Sequence, residues 1–231
     1  MNKKSSCFPR AGGELADSRF RGKNKDDIFL KSPVTKGNVM QFLKLALAAA
    51  ILLSPFASTF AKAQTMDPEN TLYLDTTYGR VVIQLLPEKA PKHVARIKEL
   101  ARKGFYDGQI FHRVIEGFMA QTGDPTGTGT GGSDMPDLPA EFNDTNFGRG
   151  AVGMARTSDP NSANSQFFIC FDDCSFLNRQ YTVWGQVTEG MGYVDQIRRG
   201  EPPVNPDKIV KMTVAADDKG EAPAEPKAVA Q

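Results

Sequence analysis

The sequence predicts a mainly β domain, an antiparallel barrel or sandwich capped by two helices. Short stretches of alternating or continuous apolar residues recur along residues 71–214 and are separated by clusters rich in Gly, Pro, Asn and Asp. Only two stretches have helical spacing, Ala90–Lys103 and Gly190–Arg198. With 231 residues, 40% of them hydrophobic, the chain can form the core of one ordinary domain and carry extensions.

The predicted domain begins with a hairpin and a helix. Strands over Thr71–Thr76 and Arg80–Leu86 are joined by a turn at Tyr78-Gly79. Ala90–Lys103 follows as an amphipathic helix, with a proline in its first turn and a glycine just after its end. We expect His93, on the polar side of this helix, to be a surface residue.

The candidate site centres on Phe111–Asp124. Alternation predicts two strands here, separated by a turn at Gly117. If the two strands pair, one face presents Arg113, Met119 and Gln121 together, a guanidinium and an amide beside an apolar surface. On this stretch alone, an ordinary hairpin with a surface arginine is the alternative.

A loop and further short strands complete the predicted domain. Gly127–Gly132 is too rich in glycine for regular structure, and a phosphate-binding interpretation is weak because no Lys-Ser/Thr pair and no helix follow. The remaining predicted strands are Leu138–Phe142, Ala151–Ala155, Gln166–Cys170, Tyr181–Val187 and Lys208–Val214. Alternation along the third of these places Phe167 in the core and Phe168 on the opposite face. Ala215–Gln231 is predicted to be a disordered tail.

The N-terminal part of the chain differs from the rest in charge. Residues 1–63 carry 11 Lys and Arg against 4 Asp and Glu, whereas residues 64–231 carry 17 against 23. Residues 64–231 are therefore acidic overall and lack the excess of basic residues that binds nucleic acid or an anionic membrane. In the basic part, Leu45–Leu53 is a continuous apolar run after Lys44, and Ala61-Lys62-Ala63 is a small-x-small cleavage pattern. The run is shorter than the ~20 residues that a membrane-spanning helix needs.

These features predict a cleaved signal peptide over Met40–Ala63, with an uncleaved anchor as the alternative. A signal peptide normally starts with a short basic segment, which Met40–Lys44 supplies, so residues 1–39 are unexpected in front of it. We therefore expect translation to start at or near Met40; otherwise residues 1–39 are a disordered leader. Residues 64–70 are expected to be a linker. The protein would then be periplasmic or secreted, without a stable membrane anchor after cleavage.

Cys170 and Cys174 are the two cysteines of the predicted domain. A C-x3-C pair could form a disulfide in an oxidising compartment, but we expect two thiols because Cys170 ends a buried strand. With two histidines in the whole chain, the usual zinc ligands are too few, and we expect no metal.

Several stretches together resemble the cyclophilin family of peptidyl-prolyl cis-trans isomerases. They occur in family order and are Phe111–Gln121, Gly129–Gly132, Met154–Thr157, Ser165–Ile169, Phe176-Leu177 and Tyr181–Val187. The resemblance covers about Thr71–Val214, which would form one isomerase domain. Within the family, this domain is similar to the bacterial exported branch. It implies an eight-stranded antiparallel closed β-barrel capped by two α-helices, which agrees with the pattern of elements above.

The resemblance also implies a role for individual residues. Arg113 would be catalytic, and Gln121 would hold its geometry. The proline pocket would be lined by Phe118, Met119, Phe168 and Leu177, with Phe176 and Tyr181 at its rim. The substrate peptide would be held by Gln166, by the backbone around Ala155 and Arg156, and by Gly129. His112 should face away from its neighbour Arg113 and is not expected to act in the chemistry.

The implied activity is the isomerisation of X–Pro bonds, which assists the folding of exported proteins and requires no cofactor. The expected partners are proline-containing polypeptides and unfolded exported proteins, with no nucleic acid, and we expect a monomer. Ciclosporin binding should be weak, because Phe176 stands where many eukaryotic members have a tryptophan whose N–H the drug uses. Two alternatives stay open: a non-catalytic proline-peptide-binding or chaperone module, and a carbohydrate- or surface-binding barrel unrelated to proline. The second would need an exposed aromatic platform, whereas the single Trp184 lies in an alternating strand typical of a core.

Overall fold

The computed structural model describes residues 66–220. The predictions of a leader over residues 1–39, of a signal peptide over Met40–Ala63 and of a tail beyond Gly220 lie outside the described residues. Within residues 66–220, none of the helices has the length and apolar character needed to cross a membrane.

Eight strands and two α-helices form the described part of the chain. The strands are β1 (Thr71–Thr76), β2 (Arg80–Leu85), β3 (Arg113–Ile115), β4 (Met119–Thr122), β5 (Ala151–Met154), β6 (Phe167–Cys170), β7 (Val183–Glu189) and β8 (Ile209–Val214); the helices are α1 (Pro91–Arg102) and α2 (Met191–Val194). All neighbouring strands are antiparallel, in the order β3-β4-β6-β5-β7-β2-β1-β8. The predicted eight-stranded antiparallel sheet with two helices is therefore confirmed.

The predicted closure of the barrel is wrong. In residues 66–220, β3 and β8 end the strand order and share no ladder. The single bridges Val114–Gly200 and Ile110–Lys208 and a hydrogen bond from Gly108 N–H to Ile209 O join the segments beside them. Three prolines lie between residues 200 and 208. Because proline has no N–H to donate, this segment lacks donors that a continuous ladder would need. The sheet is a curled half-barrel.

Two predicted elements are shorter than expected. Leu138–Phe142 is not a strand, since it makes one bridge, from Leu138 to Ala163, and its next N–H groups bond to the side chains of Asn161 and Thr182. The second helix is α2 rather than Gly190–Arg198. After Asp195 the backbone hydrogen bonds span three residues, as in a tighter turn, and the N–H of Arg198 bonds to the Asp207 carboxylate instead.

The sheet buries both faces, and strand alternation divides its side chains between two apolar clusters. The larger cluster contains Val114, Ala120, Val152, Phe167 and Ile169, together with the apolar face of α1 and Trp184. Phe167 meets the Trp184 ring edge-on at 5.5 Å, so both lie in the main core as predicted. The smaller cluster, on the opposite face, contains most of the apolar candidate site residues.

The ends of the described chain are tied to α1. Pro68–Asn70 and Ala215–Asp217 form single 3-10 turns within the segments predicted as linker and tail. Arg102 of α1 donates to Glu69 in the first turn and to Asp217 in the second. Ordered structure therefore extends a few residues beyond Thr71 and Val214.

His93 is fully buried, so its predicted surface position is wrong. Its Nδ1 lies 2.7 Å from Glu141 Oε2, and the same carboxylate accepts the backbone N–H groups of Lys92 and His93 at the start of α1. Burial lowers the pKa of His93, although the hydrogen bond to Glu141 opposes this effect. The residue that covers His93 is 48 positions away, which helical spacing cannot reveal.

Candidate active site

The candidate site is built on one face of four adjacent strands. The register pairs Arg113 of β3 with Gln121 of β4, Gln121 with Phe168 of β6, and Phe168 with Gly153 of β5. Residues directly opposite in antiparallel strands project to the same face. The predicted guanidinium and amide are thus on the same face as Phe168 and as Met119, which lies two residues before Gln121 in β4.

The apolar part of the site is the smaller cluster. Met119, Phe168, Leu177 and Tyr181 are buried members of it, and Phe118 packs against it. Met119 and Phe168 are 0% exposed, so they form a floor rather than open walls. The accessible edge is aromatic: the ring centroids of Phe118 and Phe176 are 5.2 Å apart, and Phe176 is 56% exposed. The structure thus brings together all the residues predicted to line the proline slot.

Arg113 is held at the edge of this floor. Its side chain is 22% exposed, and its Nε donates to Glu201 Oε2 at 2.7 Å. Glu201 was not among the predicted site residues. The 88 positions that separate the two explain why local sequence patterns did not reveal the pair.

Two glutamine side chains and a loop form a directed chain of hydrogen bonds beside the floor. Gln166 Nε2 donates to the carbonyls of Gly131 at 2.7 Å and Gly129 at 3.2 Å. Its Oε1 is thereby directed toward Gln121, whose Nε2 donates to it at 2.8 Å. The loop carbonyls therefore determine the orientation of both amides, including that of Gln121 opposite Arg113.

Asp124 organises that loop. Its carboxylate accepts the N–H groups of Thr126 at 2.8 Å, Gly129 at 2.6 Å and Gly131 at 3.1 Å. Burial opposes ionisation of Asp124, but these hydrogen bonds outweigh it and lower the pKa of the carboxyl. The N–H groups that the phosphate-binding interpretation would need point instead at the chain's own carboxylate.

Gly153 makes room for the aromatic floor. A Cβ atom at this position would lie 2.5 Å from both Phe147 and Phe168, whose rings stack with centroids 5.6 Å apart. Gly153 and Phe147 were not among the predicted site residues, because neither belongs to a motif that predicts the site.

The opposite rim is held by Arg156 and Tyr181. The guanidinium of Arg156 lies 4.4 Å from the centre of the Tyr181 ring and donates to the carbonyls of Gln180 and Thr157. Ala155 is buried, and its N–H pairs with the carbonyl of Gln166. The guanidinium of Arg156 thus binds neighbouring carbonyls and the Tyr181 ring of the same chain.

A cavity of about 240 Å³ adjoins this rim. The predicted residues Gly129, Ala155, Arg156 and Gln166 line it, together with polar side chains that include Asp137 and Asn164. The predicted peptide-holding residues therefore surround one polar cavity, next to the apolar floor.

Cys170 and Cys174 are both buried free thiols in the smaller cluster. Cys170 lies opposite Met119 in the sheet, and Cys174 Sγ donates to the carbonyl of Phe118 at 3.4 Å. A hydrogen bond with Cys174, together with burial, raises the pKa of Cys170. Both side chains therefore act as packing groups beneath the slot.

The fold and this arrangement agree with a comparison against protein families. The model of the family described as cyclophilin type peptidyl-prolyl cis-trans isomerase/CLD matches residues 71–214. This chain belongs to the cyclophilin-type peptidyl-prolyl cis-trans isomerases. The enzyme class predicted from the sequence, an isomerase of the rotamase type, is therefore confirmed.

Two curated peptidyl-prolyl cis-trans isomerases are similar to this chain over most of their own length. A probable peptidyl-prolyl cis-trans isomerase of Brucella suis is 52% identical over 196 residues, which cover 78% of this chain and 100% of that protein. Peptidyl-prolyl cis-trans isomerase-like 1 of Mus musculus is 38% identical over 156 residues, 64% of this chain and 93% of that protein.

Solved cyclophilin structures share the fold. The cyclophilin AquaCyp293 from Hirschia baltica has a TM-score of 0.62 and 33% identity, covering 67% of this chain and 77% of that one. A cyclophilin of Cryptosporidium parvum, solved in the presence of the dipeptide Ala-Pro, has a TM-score of 0.59 and 29% identity, covering 62% of this chain and 98% of that one.

Proposed function

We propose that this cyclophilin isomerises X–Pro bonds in exported polypeptides and that Arg113 is its catalytic residue. The observation that carries the proposal is the shared face of Arg113, Gln121, Phe168 and Met119. A fixed cationic donor stands beside a buried apolar floor, and no other group is needed for the chemistry described next.

Isomerisation has to overcome a barrier of ~18–20 kcal/mol, because the amide C–N bond has partial double-bond character. An apolar slot disfavours the polar planar amide, and a donor aimed at the prolyl nitrogen favours its pyramidal form. Arg113 suits this role, since its guanidinium stays charged and holds its donors in a rigid plane. Preorganised donors of this kind can contribute about 3–4 kcal/mol.

The substrate is proposed to be a proline-containing segment of a polypeptide. The related Cryptosporidium cyclophilin was crystallised in the presence of Ala-Pro, which supports a proline ring as the occupant of the apolar slot. The neighbouring polar cavity then faces the adjoining residues of the peptide, beside Gln166 and the backbone at Ala155.

Export is proposed from the sequence. Lys44, the apolar run Leu45–Leu53 and the pattern Ala61-Lys62-Ala63 have the order of a cleaved signal peptide. The mature enzyme would begin near Gln64 and act in the periplasm or outside the cell. N-terminal sequencing of the native protein should find Gln64; residues upstream of Met40 would contradict the proposed start.

The activity test is a cis–trans relaxation assay with a short X–Pro peptide and protein that starts at Gln64. We expect faster relaxation than in buffer, and faster refolding of a protein whose slow phase is limited by proline isomerisation. Binding of the peptide without faster relaxation would support the non-catalytic module instead.

Ciclosporin binding is proposed to be weak. Phe176 is half-exposed at the slot rim beside Phe118, and its ring has no N–H to donate. Inhibition should therefore require far more ciclosporin for the wild type than for Phe176→Trp, which restores an indole donor. Equal inhibition of both proteins would contradict this assignment.

A further inference from the structure

Glu201 is attached to the candidate site through both its side chain and its backbone. Its carboxylate accepts the Nε–H of Arg113 at 2.7 Å. The preceding residue, Gly200, is paired with Val114 by two backbone hydrogen bonds of 2.8 Å, Val114 N–H to Gly200 O and Gly200 N–H to Val114 O. The bridge fixes the backbone beside Glu201 against β3, next to the residue that its side chain contacts.

This contact acts on the orientation of the guanidinium. An arginine side chain has several rotatable bonds, so its planar donor group is well placed only when something restrains it. A carboxylate bound at Nε restrains that plane while it leaves the Nη edge directed elsewhere. Preorganisation of a donor before substrate arrives is what makes electrostatic catalysis effective.

The charge of Glu201 should not cancel that of Arg113. The Glu201 side chain is 53% exposed, so water and salt screen it, whereas the Arg113 side chain is 22% exposed beside the apolar floor. A pair this exposed also contributes little to folding. Its main effect is therefore on where the guanidinium points.

We propose that Glu201 is a positioning residue that holds Arg113 in its catalytic orientation. The proposal rests on the catalytic role proposed above for Arg113. Because the restraint matters for the transition state rather than for peptide capture, removal of the carboxylate should lower kcat and leave KM nearly unchanged.

The same edge of the molecule offers a matched control. Glu116, just after β3, pairs with Arg199 Nε at 2.5 Å, and its side chain is 76% exposed. Glu116→Gln therefore removes a similar surface carboxylate from a similar arginine. Neither partner of this second pair belongs to the slot.

The experiment measures kcat, KM and Tm with an uncharged X–Pro peptide for the wild type and for Glu201→Ala, Glu201→Gln, Glu116→Gln and Arg113→Ala. We expect Glu201→Ala to lower kcat about tenfold, because small displacements of a catalytic group have large effects on rate. Glu201→Gln keeps an acceptor for Nε–H and should lose less. Tm should stay within about 2 °C of the wild type in each Glu201 variant. Added salt should slow the wild type and leave Glu201→Gln unchanged.

The outcomes separate this inference from the proposed function. If Arg113→Ala is inactive while Glu201→Ala matches Glu116→Gln, Glu201 does not position Arg113 and the inference is wrong. A Glu201→Ala enzyme faster than the wild type would also overturn it, since the carboxylate would then be restraining the reaction. If Arg113→Ala keeps full activity, the proposed catalytic role itself has failed.

Discussion

Single residues shape this site by what they exclude as well as by what they donate. Arg113 is the donor proposed above, and Gly153 leaves the space in which the Phe147 and Phe168 rings stack. The floor of the slot therefore depends on a position that has no side chain.

Gly153→Ala should disrupt the floor. The new Cβ would lie 2.5 Å from both rings, which is too close for either to stay in place. We expect a loss of about 1–3 kcal/mol in the free energy of unfolding, as for other overpacked cores, together with lower isomerase activity. Urea unfolding and the peptide assay measure the two effects.

Gly192→Ala is the control for this substitution, because nothing lies within 4 Å of a Cβ atom there. It should keep both stability and activity. A Gly153→Ala protein that behaves like Gly192→Ala would show that the rings tolerate displacement, contrary to the packing described here.

At this scale, motifs predicted which residues come together but not what holds them. Arg113, Gln121 and Phe168 could be placed on one face because strand alternation fixes side-chain direction. Glu201 and Gly153 could not be found, since their contacts join segments far apart in sequence. The burial of His93 was missed for the same reason.

Among the elements, the loop between β4 and β5 determines the orientation of the two glutamine amides. The Asp124 carboxylate gathers N–H groups of the loop, and the carbonyls of Gly129 and Gly131 then orient Gln166 and, through it, Gln121. Asp124, which lies outside the slot, thus controls the orientation of the two amides beside the slot.

Asp124→Asn should loosen this loop. One oxygen would be replaced by an NH2 group, which cannot accept hydrogen bonds. Since Oδ1 accepts from Thr126 and Oδ2 accepts from Gly129 and Gly131, either orientation of the amide leaves loop donors unpaired. Leaving such donors unpaired costs about 1–3 kcal/mol. We expect a higher KM for peptide and faster amide hydrogen exchange at Gly129 and Gly131.

Asp137→Asn serves as the comparison, because it also removes one carboxylate charge beside the polar cavity. Unchanged exchange at both glycines in Asp124→Asn would contradict the anchoring role. Equal exchange in the two variants would show that lost charge, rather than the hydrogen bonds, accounts for the effect.

Patterns along the sequence predicted most elements to within one or two residues, because alternation and helical spacing are local properties. The exceptions were the second helix, which ends at Val194 rather than Arg198, and Leu138–Phe142. The apolar spacing of Leu138–Phe142 suits a strand, but the side chains of Asn161 and Thr182 accept its backbone N–H groups. Closure of the barrel could not be judged from the sequence either, since it depends on how two distant edges meet.

Over the whole molecule, acid should weaken the fold. The chain has two histidines, His93 and His112, and both are buried. Burial lowers the pKa of each below 6.5, while an unfolded histidine titrates near 6.5. Since the unfolded chain then binds more protons, the free energy of unfolding should fall as the pH drops below about 6.5.

Urea unfolding at pH 7.5 and pH 5.5 tests this dependence, with the loss bounded by about 1.4 kcal/mol for each unit of pKa shift. His93→Gln and His112→Gln should each show a smaller difference between the two pH values than the wild type. Equal stability of the wild type at both pH values, or a difference that neither substitution reduces, would contradict the proposed role of the buried histidines.

The central claim is that the guanidinium of Arg113 performs the isomerisation above the apolar floor. The most direct measurement is the rate of cis–trans relaxation of a short X–Pro peptide with Arg113→Ala, compared with the wild type at equal concentration and equal Tm. We predict that the variant loses most of the acceleration, at least about 100-fold in kcat/KM, as when a preorganised donor is removed elsewhere. An Arg113→Ala protein that relaxes the peptide as fast as the wild type would contradict the account.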